Sequence, residues 1–559
     1  MRPAEYAPPF DPRDYVTPPT DPPAERIDVG VLIVGAGPAG LACAIRLGQL
    51  LEESPETAER LGDVPVAVLE KGKGVGAHSL SGAVVNPRAL RRLFRDRARV
   101  EDMPFYGPVD REGVYYLTQG SALRIPAPPT MRNDGNYIAS LSQLTRWLGE
   151  HAEAGGAYIL PETAAEKLLV DGARTVGVRT GDKGRGRDGE PLPNFEPGSD
   201  VTAKVTVLAE GTQGHLTGVA IDRFGLGGEN PQVWALGVKE IWKVTKPLHR
   251  VIHTMGWPLR GGRKYREFGG SFIYPMGDDM VTVGMVVGLD YRDPEVSPHD
   301  LLQQLKTHRL LRTILKGGER IAWGAKTIPE GGFVAVPQRM HAPGLLITGD
   351  GAGLVNVPAL KGIHYAIESG RLAAEAAFAA LQRGRTPWTP GALASYDQAI
   401  QDTFIWNDLK RVRNMRQPFG HGFWFGSAMA AMATMSFGMF PPGNRKTHRD
   451  AEQDLIKTKR ASRYPEPDGK LTFDKLSSVF LSGNKTRDDA PNHIVLRADV
   501  PEGVARTWEQ MCPAQVYEAK EGGGVEVTPS NCVQCGAITA KGGRLTPPEG
   551  GAGPEYKLT

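Results

Sequence analysis

Three of the four cysteines stand close together near the end of the chain: Cys512, Cys532 and Cys535, in "MCPAQVYEAKEGGGVEVTPSNCVQCGAITAKGG". Thiolates hold soft metals, and the CxxC pair brings two of them to one centre. A [4Fe–4S] cluster normally takes four thiolates, as does an all-cysteine zinc site. Only three are offered here. Cys43 sits far away in an alanine- and leucine-rich stretch that reads as a helix, where a small buried thiol is the plain reading. A second constellation lies near the other end, in "VGVLIVGAGPAGLACAIRL". An apolar run, Val29 to Val34, leads into Gly35-Ala36-Gly37-Pro38-Ala39-Gly40 and then a helical pattern. GxGxxG between strand and helix cradles a dinucleotide pyrophosphate. Gly35 permits the tight turn, Gly37 lets the backbone approach the phosphates, and Gly40 lets helix and strand pack closely. The helix N-terminus adds free N–H groups. Glu70, ending the strand "VPVAVLE", is the expected carboxylate for the ribose hydroxyls. It follows Gly35 by 35 positions, and "LEESPETAERLGD" reads as an insertion in the crossover.

Two later segments choose between FAD and NAD. A strand from Val205 to Leu208 ends in Glu210-Gly211. Another, Leu345 to Thr348, runs into Gly349-Asp350 and a long helix. Two such returns to the first domain are the pattern of flavoproteins of the aromatic-hydroxylase type. The second acidic residue then meets the ribityl or pyrophosphate region. The next helix turns its positive end toward the flavin N1–O2 edge. No second GxGxxG unit for a nicotinamide is present, so hydride from NAD(P)H is not the expected electron source.

Behind these residues stand 559 positions, enough for two to four domains. A formal charge of +3 lies too near balance for a nucleic-acid binder. Four cysteines do not make a disulfide framework. The proline-rich start lacks the apolar core of a secretory signal and reads as a tail. From Gly422 to Phe440, nineteen residues carry no charge. They contain no Leu, Ile or Val. Phe425, Met429, Met432, Met435 and Met439 recur at helical spacing between two basic flanks. A helix or hairpin lying in a membrane interface fits this pattern. A buried methionine-rich core helix is one alternative; a membrane span, which nineteen residues would almost complete, is another.

The chain resembles the electron transfer flavoprotein–ubiquinone oxidoreductase family. The match rests on "LEKGKGVGAHSLSGAVVNPRAL", "SLSQLTRWLGEHAEAGGAYILPE", "HTMGWPL", "FGGSFIYPMGDDMVTVGMVVGLDYRDP", "NVPALKGIH", "SSVFLSGNKTRDDAPNH" and "CPAQVYE". The resemblance implies an α/β and α+β multidomain protein. Its parts are a Rossmann-like FAD domain of the aromatic-hydroxylase or glutathione-reductase type, a quinone-binding domain, and a C-terminal ferredoxin-like iron–sulfur domain. The expected layout is a tail over 1–27, the FAD domain over 28–235 and 335–415, and the quinone domain over 236–334. A membrane-interface segment over 416–444 and the iron–sulfur domain over 445–559 complete it. FAD is expected at Gly35, Ala36, Gly37, Pro38, Ala39, Gly40, Glu70, Gly211, Gly349 and Asp350. The quinone is expected at Gly269 and Gly270, though a ligand-free bulge would use Gly-Gly equally well. Iron is expected on Cys512, Cys532 and Cys535. The implied partners are electron transfer flavoprotein, a membrane quinone and the membrane surface. The implied location is the cytoplasmic face of a bacterial inner membrane, as a peripheral protein. A further docking element is implied near "NPRALRRLFRDRARV", whose arginines suit anionic head groups.

The departure from the family is Ile538, where the fourth cysteine should fall. A [4Fe–4S] cluster with water, hydroxide or Thr539 on the fourth iron is favoured over [3Fe–4S]. Zinc and an empty site remain alternatives. No nucleophile or acid–base triad stands out, so no catalytic side chain is assigned. His364 could give a quinone proton but reads better as structural. The competing function is an FAD monooxygenase or isoprenoid-lipid reductase fed by NAD(P)H. A non-catalytic adaptor is argued against by the intact flavin motif.

Overall fold

The computed structural model describes residues 1–21, 26–382, 387–457 and 464–559. Its first sheet has nine strands and is built around Arg26–Val34, whose last six residues are buried. Continuous burial suits a strand in a parallel sheet covered on both faces. Val66–Leu69 pairs with it in parallel on one side and Asp200–Leu208 on the other. The far edge of Asp200–Leu208 is divided. Its early residues pair antiparallel with Arg174–Thr180, and its last three pair in parallel with Leu345–Ile347. Helices Pro38–Glu52 and Ile363–Gln382 pack together against this sheet's core.

The second sheet has seven strands. Five of them, Trp234–Lys243, Val251–Gly256, Gly269–Pro275, Met280–Gly288 and Glu319–Pro329, come from the stretch expected to bind quinone. The other two, Glu112–Leu117 and Ala122–Ile125, arrive from inside the first flavin segment. Glu112–Leu117 joins Val251–Gly256 in parallel. Helix Pro298–Thr307 packs over the sheet and buries a charge cluster. Lys306 Nζ donates to Glu240 Oε2 at 2.8 Å and to Oε1 at 3.0 Å. Gln303 Nε2 and Trp242 Nε1 donate to the same carboxylate. Burial pushes the Glu240 carboxyl up, but the Lys306 and Arg320 charges outweigh it and hold the group below the usual carboxylate range. Lys306 and Glu240 side chains are both fully buried. Removing one partner strands a charge, so Lys306→Met is expected to lower stability by about 3–5 kcal/mol in denaturant unfolding.

The C-terminal region is small and loop-rich. Helix Glu502–Met511, hairpin Tyr517–Ala519 with Val525–Val527, and the pair Ile494–Val495 with Arg544–Leu545 frame it. Its buried Trp508, Met511 and Ile538 share one core with the second sheet. The first 21 residues are docked on the rest of the chain, one of the two states open to a proline-rich tail. Leu455 donates its N–H to the Met1 carbonyl at 3.0 Å, and Val16–Thr17 joins the edge of the nine-stranded sheet.

The uncharged segment forms helix Phe423–Met435, thirteen residues long. Among the described residues no helix is long and apolar enough to cross a membrane. Trp424, Phe425, Met435, Phe437 and Met439 are all more than half exposed. Met429 turns inward and is buried, so the methionines do not form one stripe. The helix is docked on the second sheet by Tyr116, whose ring lies 5.4 Å from Phe423 and 5.2 Å from Trp424. The arginine-rich stretch after Asn86 is largely satisfied within the chain. Arg88 pairs with Asp408, Arg92 with Glu368, Arg97 with Glu52 and Arg99 with Asp102. That pairing gives those four arginines a structural use of their own.

Candidate functional site

The fingerprint folds as its glycines require. Gly35 has φ +107°, in the left-handed region, and a side chain there would strike the Ala209 carbonyl. A Cβ on Gly40 would overlap the Gly35 carbonyl. At Gly37 nothing lies within 4 Å of the Cβ position, because that side opens on a cavity. Pro38 starts the helix at N1, where its missing N–H costs nothing. Glu70 is buried beside this loop. It accepts the Ala36 N–H at 3.1 Å and the Gly72 N–H at 2.6 Å. Gly349 accepts close packing from Ala39 at φ +61°. Burial raises the Asp350 carboxyl to about 6, with Lys326 opposing. Asp350 lies beside Gly362, which precedes helix Ile363–Gln382. Gly211 also lines the cavity. Its neighbour Glu210 caps helix His215–Phe224 by accepting the Thr217 N–H at 2.6 Å.

All this opens into one cavity of about 1270 Å³. It begins at Gly35, Gly37 and Glu70, passes Gly269 and Gly270, and reaches Ser427, Ala431 and Met435 on the exposed helix. Gly269 sits at φ +145°, where a side chain would overlap the Val286 carbonyl. A Cβ on Gly270 would meet the Thr254 carbonyl at 2.5 Å. Sheet packing alone therefore demands both glycines, and both also border the cavity.

Sequence reading missed three groups on the cavity wall. Lys239 is fully buried, and burial lowers its ammonium to about 7; Nζ donates to the Ser81 carbonyl at 2.7 Å. His253 Nε2 lies 2.7 Å from Tyr274 Oη. Thr327 joins two regions. Its hydroxyl shares a hydrogen bond with Thr212 at 2.8 Å and donates to the Cys535 carbonyl at 2.9 Å. None of the three carries a chemical motif of its own, although His253 opens the stretch "HTMGWPL"; each is an ordinary strand residue until the sheets are assembled. His364 also lines the cavity; its Nε2 faces Arg88 Nη2 at 2.9 Å, and its Nδ1 has no partner in the protein.

The three cysteines line one small apolar pocket with Met511, Tyr517, Val533 and Ile538. Gln515 and Gln534 both take φ +51°, and each turns its loop so that N–H groups point at sulfur. Val516 donates to Cys512 Sγ and Gln534 to Cys532 Sγ, both at 3.4 Å. Burial raises all three thiols, that of Cys535 to about 12. Three thiols in one pocket with N–H···S bonds fit an iron–sulfur cluster. Ile538 fills the wall where a fourth thiol would stand. Thr539 is turned away, its hydroxyl accepting the Leu545 N–H at 3.3 Å.

Comparison with known proteins is consistent across this geometry. The family description "ETF-QO, ubiquinone-binding" matches residues 234–328. "Electron transfer flavoprotein-ubiquinone oxidoreductase, 4Fe-4S" matches residues 469–557. A mitochondrial electron transfer flavoprotein-ubiquinone oxidoreductase from Oryza sativa subsp. japonica is 39% identical over 96% of this chain and 93% of its own length. The Pseudomonas aeruginosa protein of the same name is 38% identical, covering 95% of this chain and 99% of its own. Among solved structures, a geranylgeranyl bacteriochlorophyll reductase-like protein from Thermoplasma acidophilum shares the fold. Its TM-score is 0.52 at 17% identity, over 77% of this chain and 93% of that one. That likeness concerns architecture alone and does not revive the isoprenoid-lipid reductase reading. With near-full-length identity well above the level at which families blur, the chain belongs to the electron transfer flavoprotein–ubiquinone oxidoreductase family.

Proposed function

We propose that this protein takes electrons from a reduced electron transfer flavoprotein and passes them to a membrane quinone, ubiquinone or menaquinone. The observation that carries the reading is the single cavity joining the dinucleotide loop to an exposed aromatic helix. FAD in that cavity supplies chemistry in one- and two-electron steps, and the iron–sulfur cluster supplies one-electron transfer. The chain's own residues do the holding. Gly35 to Gly40 and Glu70 take the pyrophosphate and ribose, while Gly211, Gly349 and Asp350 take the remainder of FAD. Cys512, Cys532 and Cys535 take the cluster. Thr327 clamps Cys535 against the Thr212 loop, which fixes the distance between the two redox sites.

A quinone lives in lipid, so its site must open at lipid depth. Trp424, Phe425, Phe437 and Met439 would enter the interface beside the cavity mouth, and Arg411, Arg445 and Lys446 would meet the head groups. The protein then sits peripherally, on the cytoplasmic face of a bacterial inner membrane. Gly269 and Gly270 let the planar head group approach the backbone.

The test is anaerobic. The purified protein receives enzymatically reduced electron transfer flavoprotein and a quinone analogue, and quinone bleaching is followed. NAD(P)H alone should give no turnover. A flavin-loaded protein that bleaches no quinone under these conditions sinks the reading. Ser427→Trp narrows the lipid-side mouth. It should raise KM for a long-tailed quinone by about tenfold, or ~1.4 kcal/mol, and leave a tailless analogue and the flavin content nearly unchanged.

A further inference from the structure

We infer that the Lys326 ammonium is the charge that tunes the iron–sulfur cluster, raising its reduction potential from the wall between the cysteine pocket and the flavin cavity. The inference rests on FAD and the cluster occupying the sites described above. Lys326 lies on Glu319–Pro329, an edge strand of the seven-stranded sheet. That strand carries the cysteine loop. Thr327 donates its N–H to the Cys535 carbonyl at 2.8 Å. Lys326 Nζ donates to the Gln534 carbonyl at 3.1 Å. Gln534 is the residue whose own N–H points at Cys532 Sγ. Lys326 also borders the flavin cavity, and there it is half-buried rather than sealed.

The charge reaches both sites. At Asp350, on the flavin side, it opposes the upward push of burial on the carboxyl. On the cluster side it interacts with Cys535 and Cys532. Among the described residues no carboxylate forms an ion pair with Lys326, whereas the buried Lys306 is matched by Glu240. Burial lowers the ammonium to about 8, with Lys71 adding to that loss and Cys535, Glu70 and Cys532 opposing it. The group is therefore charged at pH 7. Two other lysines act on the cysteines, and each answers to a carboxylate first. Lys71 has Glu70 and then Glu210 ahead of Cys532, and Lys475 has Asp300 ahead of Cys512. For Lys326 the strongest opposite charge is Cys535 itself.

A buried charge without a counter-charge is costly. Here the thiolates supply it, because a coordinating thiol is deprotonated outright. Three thiolates outweigh the core charge of a [4Fe–4S] or a [3Fe–4S] centre. The pocket is then negative, and each electron that arrives makes it more so. A fixed positive charge beside it favours the reduced form, since net charge is one of the quantities that set a cluster's potential. The effect is stronger out of bulk water than in it.

The experiment is an anaerobic potentiometric titration of the full-length protein with FAD and cluster bound. It needs neither donor protein nor quinone, so a failure of the quinone reading is a separate result. Electron paramagnetic resonance follows the cluster and visible absorbance follows the flavin, in wild type, Lys326→Met and Lys326→Arg. In K326M the cluster potential should fall by the equivalent of about tenfold in the one-electron equilibrium constant, ~59 mV. The flavin potential should move in the same direction. K326R keeps the charge and should stay close to wild type. A lysine that only braces the Gln534 loop would change the thermal midpoint and leave the potentials in place. A K326M cluster potential equal to the wild-type value overturns the proposal. Should K326M assemble no cluster, its flavin potential is compared with that of Cys512→Ser, which is also expected to lack iron. A lower value in K326M upholds the charge effect, and equal values overturn it.

Discussion

A Gly370→Val chain is expected to fold poorly and to come out of purification without flavin. Gly370 lies on helix Ile363–Gln382, where a Cβ would overlap the carbonyl of Ala39 on helix Pro38–Glu52. The obstacle is backbone, which cannot rotate away. Overpacking of this kind costs about 1–3 kcal/mol and more where nothing can yield. The helices must separate, and that separation moves both features the flavin needs: the N–H groups of the fingerprint and the helix end beside Asp350. An FAD affinity loss of at least about 100-fold, ~2.7 kcal/mol, is expected, with a lowered thermal midpoint. Gly37→Val is the counterpart. Its Cβ meets no protein atom, so the chain should keep its thermal midpoint without flavin and lose only affinity for FAD. Flavin absorbance and scanning calorimetry on both variants separate the two effects. Equal stability losses would mean that Gly37 also has a packing role.

Replacing Cys512 by serine should abolish iron and acid-labile sulfide while leaving flavin in place. Two thiols cannot anchor a cluster in a pocket whose other walls are Met511, Val533 and Ile538. The opposite change is more telling. Ile538→Cys adds a thiol to the wall of the same pocket and restores the four-cysteine donor set. Iron in the wild type should be lost to a chelator after mild oxidation, and iron in I538C should be retained. Iron analysis before and after treatment, with electron paramagnetic resonance of both states, decides it. Equal retention in the two proteins would mean that the wild-type cluster is already fully ligated by some other group.

The flavin end of the molecule was readable because its signals are local. Gly35, Gly37 and Gly40 act within a few residues, and the strand before them is one unbroken apolar run. The strand limits grew from Val205 to Asp200 at the start of the second return, because polar residues at a strand's start carry no apolar signal. The uncharged segment was recognisable as amphiphilic, yet its methionines do not share a face. The helix stops at Met435, and Gly438 at φ +80° breaks it, so Met439 belongs to a different turn. The second sheet was not legible at all in one respect. Its strand Glu112–Leu117 sits more than a hundred residues before its partner, and nothing in either stretch names the other. For the same reason His253 escaped notice. In "VIHTMG" it is a polar residue in a strand, and only the pairing with Gly269–Pro275 brings it to Tyr274. Ile538 was the reverse case, visible in sequence at once; the pocket adds that Ile538 lines it while the Thr539 hydroxyl accepts the Leu545 N–H.

The strand Leu345–Ile347 closes against Leu208 and its two predecessors, and this sets a timetable for the nascent chain. Those partners are separated by 139 positions (347 − 208), Leu208 from Ile347, roughly 7–30 s of translation at ~5–20 residues per second. Throughout that interval the end of Asp200–Leu208 offers an uncovered ladder edge, the kind that recruits stray strands. A gene cut after residue 235 would make that interval permanent, so the first segment made alone should clump, and adding back the segment that supplies residues 345–347 should rescue it.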